Sequence, residues 1–325
     1  MQKISNLQQV IASGQPAVTA ELGPPMSADG TEIVHKAHLL KGFCDAANIT
    51  DCQTAVVRIS SIAGAVLAWR EGLEPVMQMT CRDRNRIAIQ ADLLGAHALG
   101  LRNCLCIAGD HQKFSAAGRL KGHPGAKNVY DVDTCQLLQI LKNMRDLGIQ
   151  QGGDKLEVPP QFFLGASWTP GGEPLEFRVI NLKKKVDAGA DFIQTQGIFD
   201  LDVFKAQMAA IRKLGLHEKT AILGGIIVPR SAMMLKYMDS SVAGVSVPAA
   251  LIARMAKARD RAGEDKKKAR EFQEEEGIEI AVELIKEVLA IPGVKGVHVQ
   301  AIEWERAIEI IVKKAGLYPR PTFAV

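Results

Sequence analysis

The chain has 325 residues, 47% hydrophobic and 23% charged, enough to bury a large core as one α/β barrel or as two smaller domains. Its 40 basic and 36 acidic residues leave a net charge of +4, spread along the chain rather than gathered into a basic arm, so nucleic acid is not implied. No Pro/Ser-rich linker divides it, which favours one barrel, and no apolar run reaches the roughly 18 residues of a membrane helix.

The N-terminal segment MQKISNLQQVIASG lacks the continuous apolar core of a signal peptide. It reads as a short helix on a soluble, cytoplasmic protein. Downstream, short runs rich in Val, Ile and Ala alternate with longer amphipathic stretches, the pattern of βα units and a parallel sheet. Eight strands are expected: Ala17 to Glu21, Ala46 to Thr50, Pro75 to Thr80, Cys104 to Ala108, Phe162 to Ala166, Phe192 to Thr195, Thr220 to Ile226 and Val294 to Val299. Eight such units fit a TIM (β/α)8 barrel over residues 1–325 better than an open sheet.

Within the stretch RNRIAIQADLLGAHALG, Ile87, Ala91, Leu94 and Ala98 recur at helical steps and are expected to face the barrel. Gly100, Gly148, Gly189 and Gly215 suit left-handed helix C-caps. Residues 110–131 form a long loop after the fourth strand, and loops of that length in a compact domain are usually functional. Residues 254–276 carry both charges at helical spacing, as a solvated helix face does.

Motifs for nucleotide chemistry are missing: the chain has neither GxGxxG nor GxxxxGK[ST]. His35 and His38, three residues apart without a third ligand, read as surface residues rather than a zinc site. The six cysteines (Cys44, Cys52, Cys81, Cys104, Cys106, Cys135) lack CxxC spacing and are expected reduced. Cys104 and Cys106 share one side of the fourth strand, toward either the barrel interior or the helices, as a buried, inert pair. Polar residues instead collect at predicted strand C-termini: Glu21, Thr50, Asp51, Gln78, Thr80, Asp110, Gln194 and Gln196. In a parallel barrel these share the face that does chemistry, and a carboxyl beside an apolar mouth has its pKa raised toward the range of a general acid.

The segments TAELGPP, NITDC, QMTCRDRNRIAIQADLLGAHALGLRN, CIAGD, LKKKVDAGADFIQTQGIFD and GLYPRP, in this order, closely resemble the methylenetetrahydrofolate reductase family, from about Ala17 to Pro321. The resemblance implies a TIM barrel that binds flavin (FAD ahead of FMN) at its mouth and reduces 5,10-methylenetetrahydrofolate to 5-methyltetrahydrofolate. It implies that Glu21 is the general acid on folate N10 and that Asp110, beside flavin and pterin, carries a charge that tunes the flavin and stabilises a cationic iminium. Gln196 matches the glutamine that binds the pterin. Thr50, Gln78, Thr80, Gly109, Tyr130 and Lys185 fall at cofactor-contacting positions, Lys185 near phosphate, with the long loop as a cover.

The family's HLTC is QMTC here and its RGD is AGD, so Gln78 stands for a histidine and Ala108 for an arginine; Arg82 and Arg84 are candidates to replace that charge. In HVQAIEWERA, Glu303 and Trp304 stand where better-known members have an arginine, as in the branch found in acetogens and other anaerobes. That branch implies NAD(P)H or an iron–sulfur subunit as electron donor, and a homo-oligomer or hetero-complex. Any cluster belongs to a partner, because the cysteine spacing here holds none. Two other readings stay open: a folate-binding methyltransferase, although the vitamin-binding DxHxxG is missing, and a flavin relay or scaffold within a larger electron-transfer complex.

Overall fold

Each of the eight apolar runs forms a parallel strand in the computed structural model, which describes residues 4–116 and 119–323. In chain order the strands are β1 (Ala17–Leu22), β2 (Ala46–Ile49), β3 (Pro75–Thr80), β4 (Asn103–Ile107), β5 (Lys113–Ala116), β6 (Arg119–Gly122), β7 (Phe163–Trp168), β8 (Phe192–Gly197), β9 (Ala221–Ile227) and β10 (Val294–Gln300). All but β5 and β6 close into one barrel in the order β1-β10-β9-β8-β7-β4-β3-β2. This is the expected TIM barrel.

Alternation of side chains across each strand makes two cores. Outward residues such as Val18, Ile49, Met77, Cys104 and Cys106 pack under the helices, so the cysteine pair faces the helical layer, buried. All six cysteines are free thiols. Inward residues Ala17, Ala46, Val76, Leu105, Phe192, Ala221 and Leu223 fill the lower barrel, and Leu7 and Val10 of the N-terminal helix Asn6–Ala12 plug it from below. Gly165 makes room for the Phe192 ring, since a Cβ there would lie 2.2 Å from a ring carbon. Below the plug, the Glu74 carboxylate accepts the Asn6 and Leu7 backbone N–H groups (2.7 and 3.0 Å) and the Asn103 amide (2.9 Å).

Gly100, Gly148, Gly189 and Gly215 all take positive φ after helices, as expected. Three other expectations are corrected. In helix Arg86–Ala98 the buried apolar residues are Ile89, Leu93 and Ala96; of the expected stripe Leu94 packs partly buried against the core, while Ile87 is 75% exposed and Ala91 and Ala98 also face solvent. Two interleaved small-apolar stripes run along this helix. The one beginning at Ile89 carries the residues that reach the sheet.

Residues 254–276 do not form one helix. Helices Ala249–Asp260 and Lys266–Leu289 meet at a turn where Gly263 has φ 59° and Asp265 caps the second helix, its carboxylate accepting the Lys267 and Lys268 N–H groups (both 3.0 Å). The Gly-x-Asp signal was in the sequence, hidden by the charge pattern around it. The mixed charges then pair between the helices, with Arg254 bridging Glu276 (2.8 Å) and Glu283 (2.6 Å). Finally, the long loop contains the antiparallel β5–β6 hairpin, whose Gly122 (φ 88°) lies so near the turn after β2 that a Cβ would meet the Gln112 and Thr54 carbonyl oxygens at 2.6 and 3.0 Å.

The C-terminal segment is tied to the barrel bottom by one buried ion pair. Arg320 grips Asp45 through Nε (3.0 Å) and Nη2 (2.6 Å) and also donates to the Leu317 and Pro16 carbonyls. Asp45 in turn accepts the Val18 N–H of β1 at 2.7 Å. Removing the guanidinium leaves a buried carboxylate without its counter-charge, so Arg320→Ala is expected to lose about 3–5 kcal/mol of stability in chemical denaturation followed by far-UV circular dichroism. A variant within 1 kcal/mol of wild type, on the order of a surface substitution, contradicts this account.

Candidate functional site

The strand ends enclose a cavity of about 460 Å³ at the C-terminal mouth of the barrel. Its walls include all eight polar residues expected at strand ends: Glu21, Thr50, Asp51, Gln78, Thr80, Asp110, Gln194 and Gln196. Gly109 and Arg82 also line it, whereas Tyr130 and Lys185 stand outside it. Polar residues that also line it and were not anticipated are Asn48, Gln53, Ser167, Thr169, Thr195, His298 and Gln300. For Asn48 and Gln300 a signal existed. Counting back two from Thr50 reaches Asn48 on the same face, and Gln300 lay one residue beyond the strand end read at Val299.

The floor is a polar network within the barrel. Asn48 and Gln194 exchange amide hydrogen bonds (2.7 and 3.0 Å), Gln194 donates to Thr19 Oγ1 (3.1 Å), and Thr19 Oγ1 meets His298 Nδ1 at 3.0 Å. The Asn48 amide lies 3.5 Å from the other imidazole nitrogen. Burial pushes His298 down to about 3, so the ring is neutral at physiological pH. The network satisfies its own members and leaves the layer above free to meet a ligand.

Glu21 sits in that upper layer, half-buried, in register with Asn48 of β2. Burial raises its pKa; the Gln300 side-chain hydrogen bond acts in the opposite sense, and the Glu305 carboxylate adds to the rise. Asp110 stands exposed at the rim. Its carboxylate accepts the Thr54 N–H at 2.9 Å, fastening a turn in which Cys52, Thr54 and Ala55 all adopt left-handed φ (47°, 56° and 57°).

Arg82 locks the same rim, with two bonds to Asp83 (2.7 and 2.6 Å), one to the Cys52 carbonyl (3.1 Å) and one to the Asp110 carbonyl (3.1 Å). Arg84 is committed to Asp51 (2.7 and 3.3 Å) and Asp92 (3.0 Å) and does not line the cavity. Asp51 also accepts the Thr80 N–H and hydroxyl (3.0 and 2.9 Å). Of the two candidate replacements for the charge absent at Ala108, only Arg82 reaches the cavity, and four of its five N–H donors are already used.

The remaining polar groups differ in what they offer a ligand. Thr50 and Thr80 hydroxyls donate to Gln53 (2.7 Å) and Asp51, leaving acceptor lone pairs. Gln196 accepts the Gly197 N–H with its oxygen (3.0 Å), and its NH2 has no hydrogen-bond partner among the described residues. The Gln78 side-chain amide, 8% exposed, has no hydrogen-bond partner among the described residues. Such a buried amide needs a partner from the cavity. Tyr130 donates its hydroxyl to the Gly109 carbonyl at 3.0 Å from the far end of the long loop.

A second cavity, about 300 Å³, shares Ser167, Trp168 and Thr169 with the first and carries Arg178, Lys184 and Lys185. Burial lowers the Lys185 pKa, and its ammonium donates to the Ser167 carbonyl at 2.5 Å. Polar acceptors in the mouth and cations in the annex suit an aromatic ring system carrying a phosphate tail. Among the described residues, no cluster of three or more His, Cys, Asp or Glu is arranged to hold a metal, and no helix is long and apolar enough to cross a membrane.

Residues 6–316 match the family model for methylenetetrahydrofolate reductase. Methylenetetrahydrofolate reductase 1 of Schizosaccharomyces pombe is 26% identical over 249 residues, covering 75% of this chain and 36% of its own. The Arabidopsis thaliana methylenetetrahydrofolate reductase (NADH) 1 is 26% identical over 329 residues, covering 98% of this chain and 51% of its own. The chain thus spans about a third to a half of the length of these curated relatives. Among solved structures, an uncharacterized protein from Clostridium thermocellum that binds two copies of 5-methyl-5,6,7,8-tetrahydrofolic acid shares the fold, with TM-score 0.59 and 14% identity over 94% of this chain and 98% of that one.

The raised pKa of Glu21 has a consequence for stability. A carboxyl whose folded pKa lies above its unfolded value contributes most below the unfolded pKa and loses that contribution as pH rises through the folded one. Glu21→Gln removes the cost of ionising a buried group, so at pH 7 it is expected to melt above wild type. The gain should shrink as pH falls toward 4.5, the ordinary value for glutamate. Thermal melts at several pH values check this, and a gain independent of pH counts against it.

Proposed function

The chain belongs to the methylenetetrahydrofolate reductase family, and from that premise we propose that it is a single flavin- and folate-binding barrel that reduces 5,10-methylenetetrahydrofolate to 5-methyltetrahydrofolate. The observation that carries this reading is a carboxyl whose pKa is raised by burial, Glu21, in the same cavity as the exposed rim residue Asp110. A flavin bound in the mouth supplies the hydride.

Glu21 delivers its proton to N10 of the folate. The bond from the bridging carbon to N10 breaks with its electrons going to N10, leaving a cationic iminium at N5 that accepts hydride readily. Asp110 stabilises that cation from the rim, where the Thr54 N–H and Arg82 hold it in place. Gln196 presents its NH2 to the pterin. Thr50, Gln78, Thr80 and Gly109 form the flavin-facing wall, with Tyr130 buttressing Gly109.

The cationic annex supports a phosphate-bearing tail, which FAD and FMN share, with Lys185 and Lys184 as phosphate partners; FAD is put first on the family resemblance. An iron–sulfur donor would hold its cluster outside the described residues, which bring together no group of three or more His, Cys, Asp or Glu fit for a metal, and NAD(P)H would act directly at the mouth.

Purified protein is expected to be yellow, to release FAD on heating, and to be reoxidised by methylenetetrahydrofolate after anaerobic reduction. Protein that takes up no flavin overturns the reading. Glu21→Gln should still permit flavin reduction while slowing folate turnover by roughly 10²–10⁴-fold, the usual contribution of a general acid. Anaerobic titration with NADH separates direct reduction from the partner route.

A further inference from the structure

We propose that Gln300 is a positioning residue for Glu21: its amide holds the carboxyl toward the cavity and stabilises the carboxylate left after proton transfer. The proposal rests on the reading of Glu21 as the acid and assigns a residue outside the set expected from the sequence.

The geometry follows from barrel closure. Strands β1 and β10 pair with Thr19 opposite His298 and Ala20 opposite Val299, so the next position sets Glu21 beside Gln300. Both belong to the inward-facing set, two residues above Thr19 and His298 of the floor, and both line the mouth cavity. On the other flank, Asn48 is in register with Glu21, but its amide is already committed to Gln194 and the His298 ring. Gln300 is therefore the neighbour of Glu21 across the β1–β10 seam, lining the same cavity, and its side chain acts on Glu21 in the sense that favours the carboxylate.

The charged groups around Glu21 explain why a neutral donor matters there. Glu303 and Glu305 follow β10; the charge of Glu305 opposes ionisation of Glu21, and both carboxylates are shared with the buried ammonium of Lys36 (3.6 and 3.2 Å). Asp110 lies at the rim, Arg58 donates to the Pro24 carbonyl (2.9 Å), and His298 is neutral. A second cation beside Glu21 would hold it ionised and useless as an acid. An amide donates one N–H to one carboxyl oxygen in either protonation state, leaving the other oxygen to carry the proton. When the proton passes to N10, the same N–H supports the new carboxylate in a site shielded from water.

The test compares Gln300→Met, which removes the donor at similar volume, and Gln300→Glu, which replaces it with a like charge, against wild type and Glu21→Gln. In flavin-free protein, infrared difference spectra against Glu21→Gln give the pH midpoint of the Glu21 carboxyl. It is expected to rise in Gln300→Met and further in Gln300→Glu. In the loaded enzyme, kcat for folate reduction should fall on the order of 10- to 100-fold, the range for losing a hydrogen bond to a charged group, with KM changed much less. An unchanged midpoint and unchanged kcat in both variants overturn the proposal. Normal folate turnover by Glu21→Gln removes the reading beneath it, a failure that the infrared midpoint separates from loss of the Gln300 contact.

Discussion

The pairing of β1 with β10 closes the barrel, and the site depends on that register. It runs Ala17 opposite Gly296 to Ala20 opposite Val299, joining segments nearly 280 residues apart. Because side chains alternate strictly along a strand, a slip of one residue would turn Glu21 outward under the helices and bring Leu22 into the mouth. Closure therefore aligns three layers at once: apolar residues at the bottom, the Thr19–Asn48–Gln194–His298 network in the middle, and the ligand-facing residues at the top. The Asp45–Arg320 pair protects the same seam from below, since Asp45 holds the β1 backbone while Arg320 anchors the C-terminal tail.

The middle layer separates two incompatible environments. Below it the barrel is filled by alanine, valine, leucine and phenylalanine, and above it lies a cavity that must carry charge. Amides paired with each other and with a neutral imidazole are polar enough to face the cavity without placing a buried charge over an apolar core. At the rim the arrangement is different. There Asp51, Arg82, Arg84 and Asp83 are ionic and tightly bonded, and their work is to hold the turn after β2 and the start of the long loop. The strain of three left-handed residues in that turn is opposed by these bonds and by the Asp110 carboxylate. Asp110 thus fixes the shape of the site as well as its charge.

Much of this was legible locally. Short apolar runs marked the eight barrel strands to within one or two residues, and glycines after helices marked their C-caps because only a residue without Cβ enters left-handed φ freely. Polar residues at strand ends marked the mouth. Misreadings came where two local patterns competed. In Arg86–Ala98 both apolar stripes have helical spacing, and only contact with the sheet selects Ile89, Leu93 and Ala96. In 254–276 a continuous charge pattern concealed a Gly-x-Asp break. The β5–β6 hairpin has too polar a sequence to announce strands, and its position against the turn after β2 depends on close backbone approach at Gly122.

The sequence by itself determined the alternation along each strand and the gathering of polar residues at the strand ends, because the two-residue repeat is a property of the local backbone; which side faces the barrel was open, as at Cys104 and Cys106. The sequence also carried the family resemblance. Only the tertiary structure decided what those groups are free to do. Arg84 and Asp51 are spent on each other and Gln194 on Asn48, while Gln78 has no partner among the described residues and Gln300 is brought to Glu21. Hydrogen-bond commitments and desolvation arise between residues far apart in the chain, so they exist only once the barrel has closed.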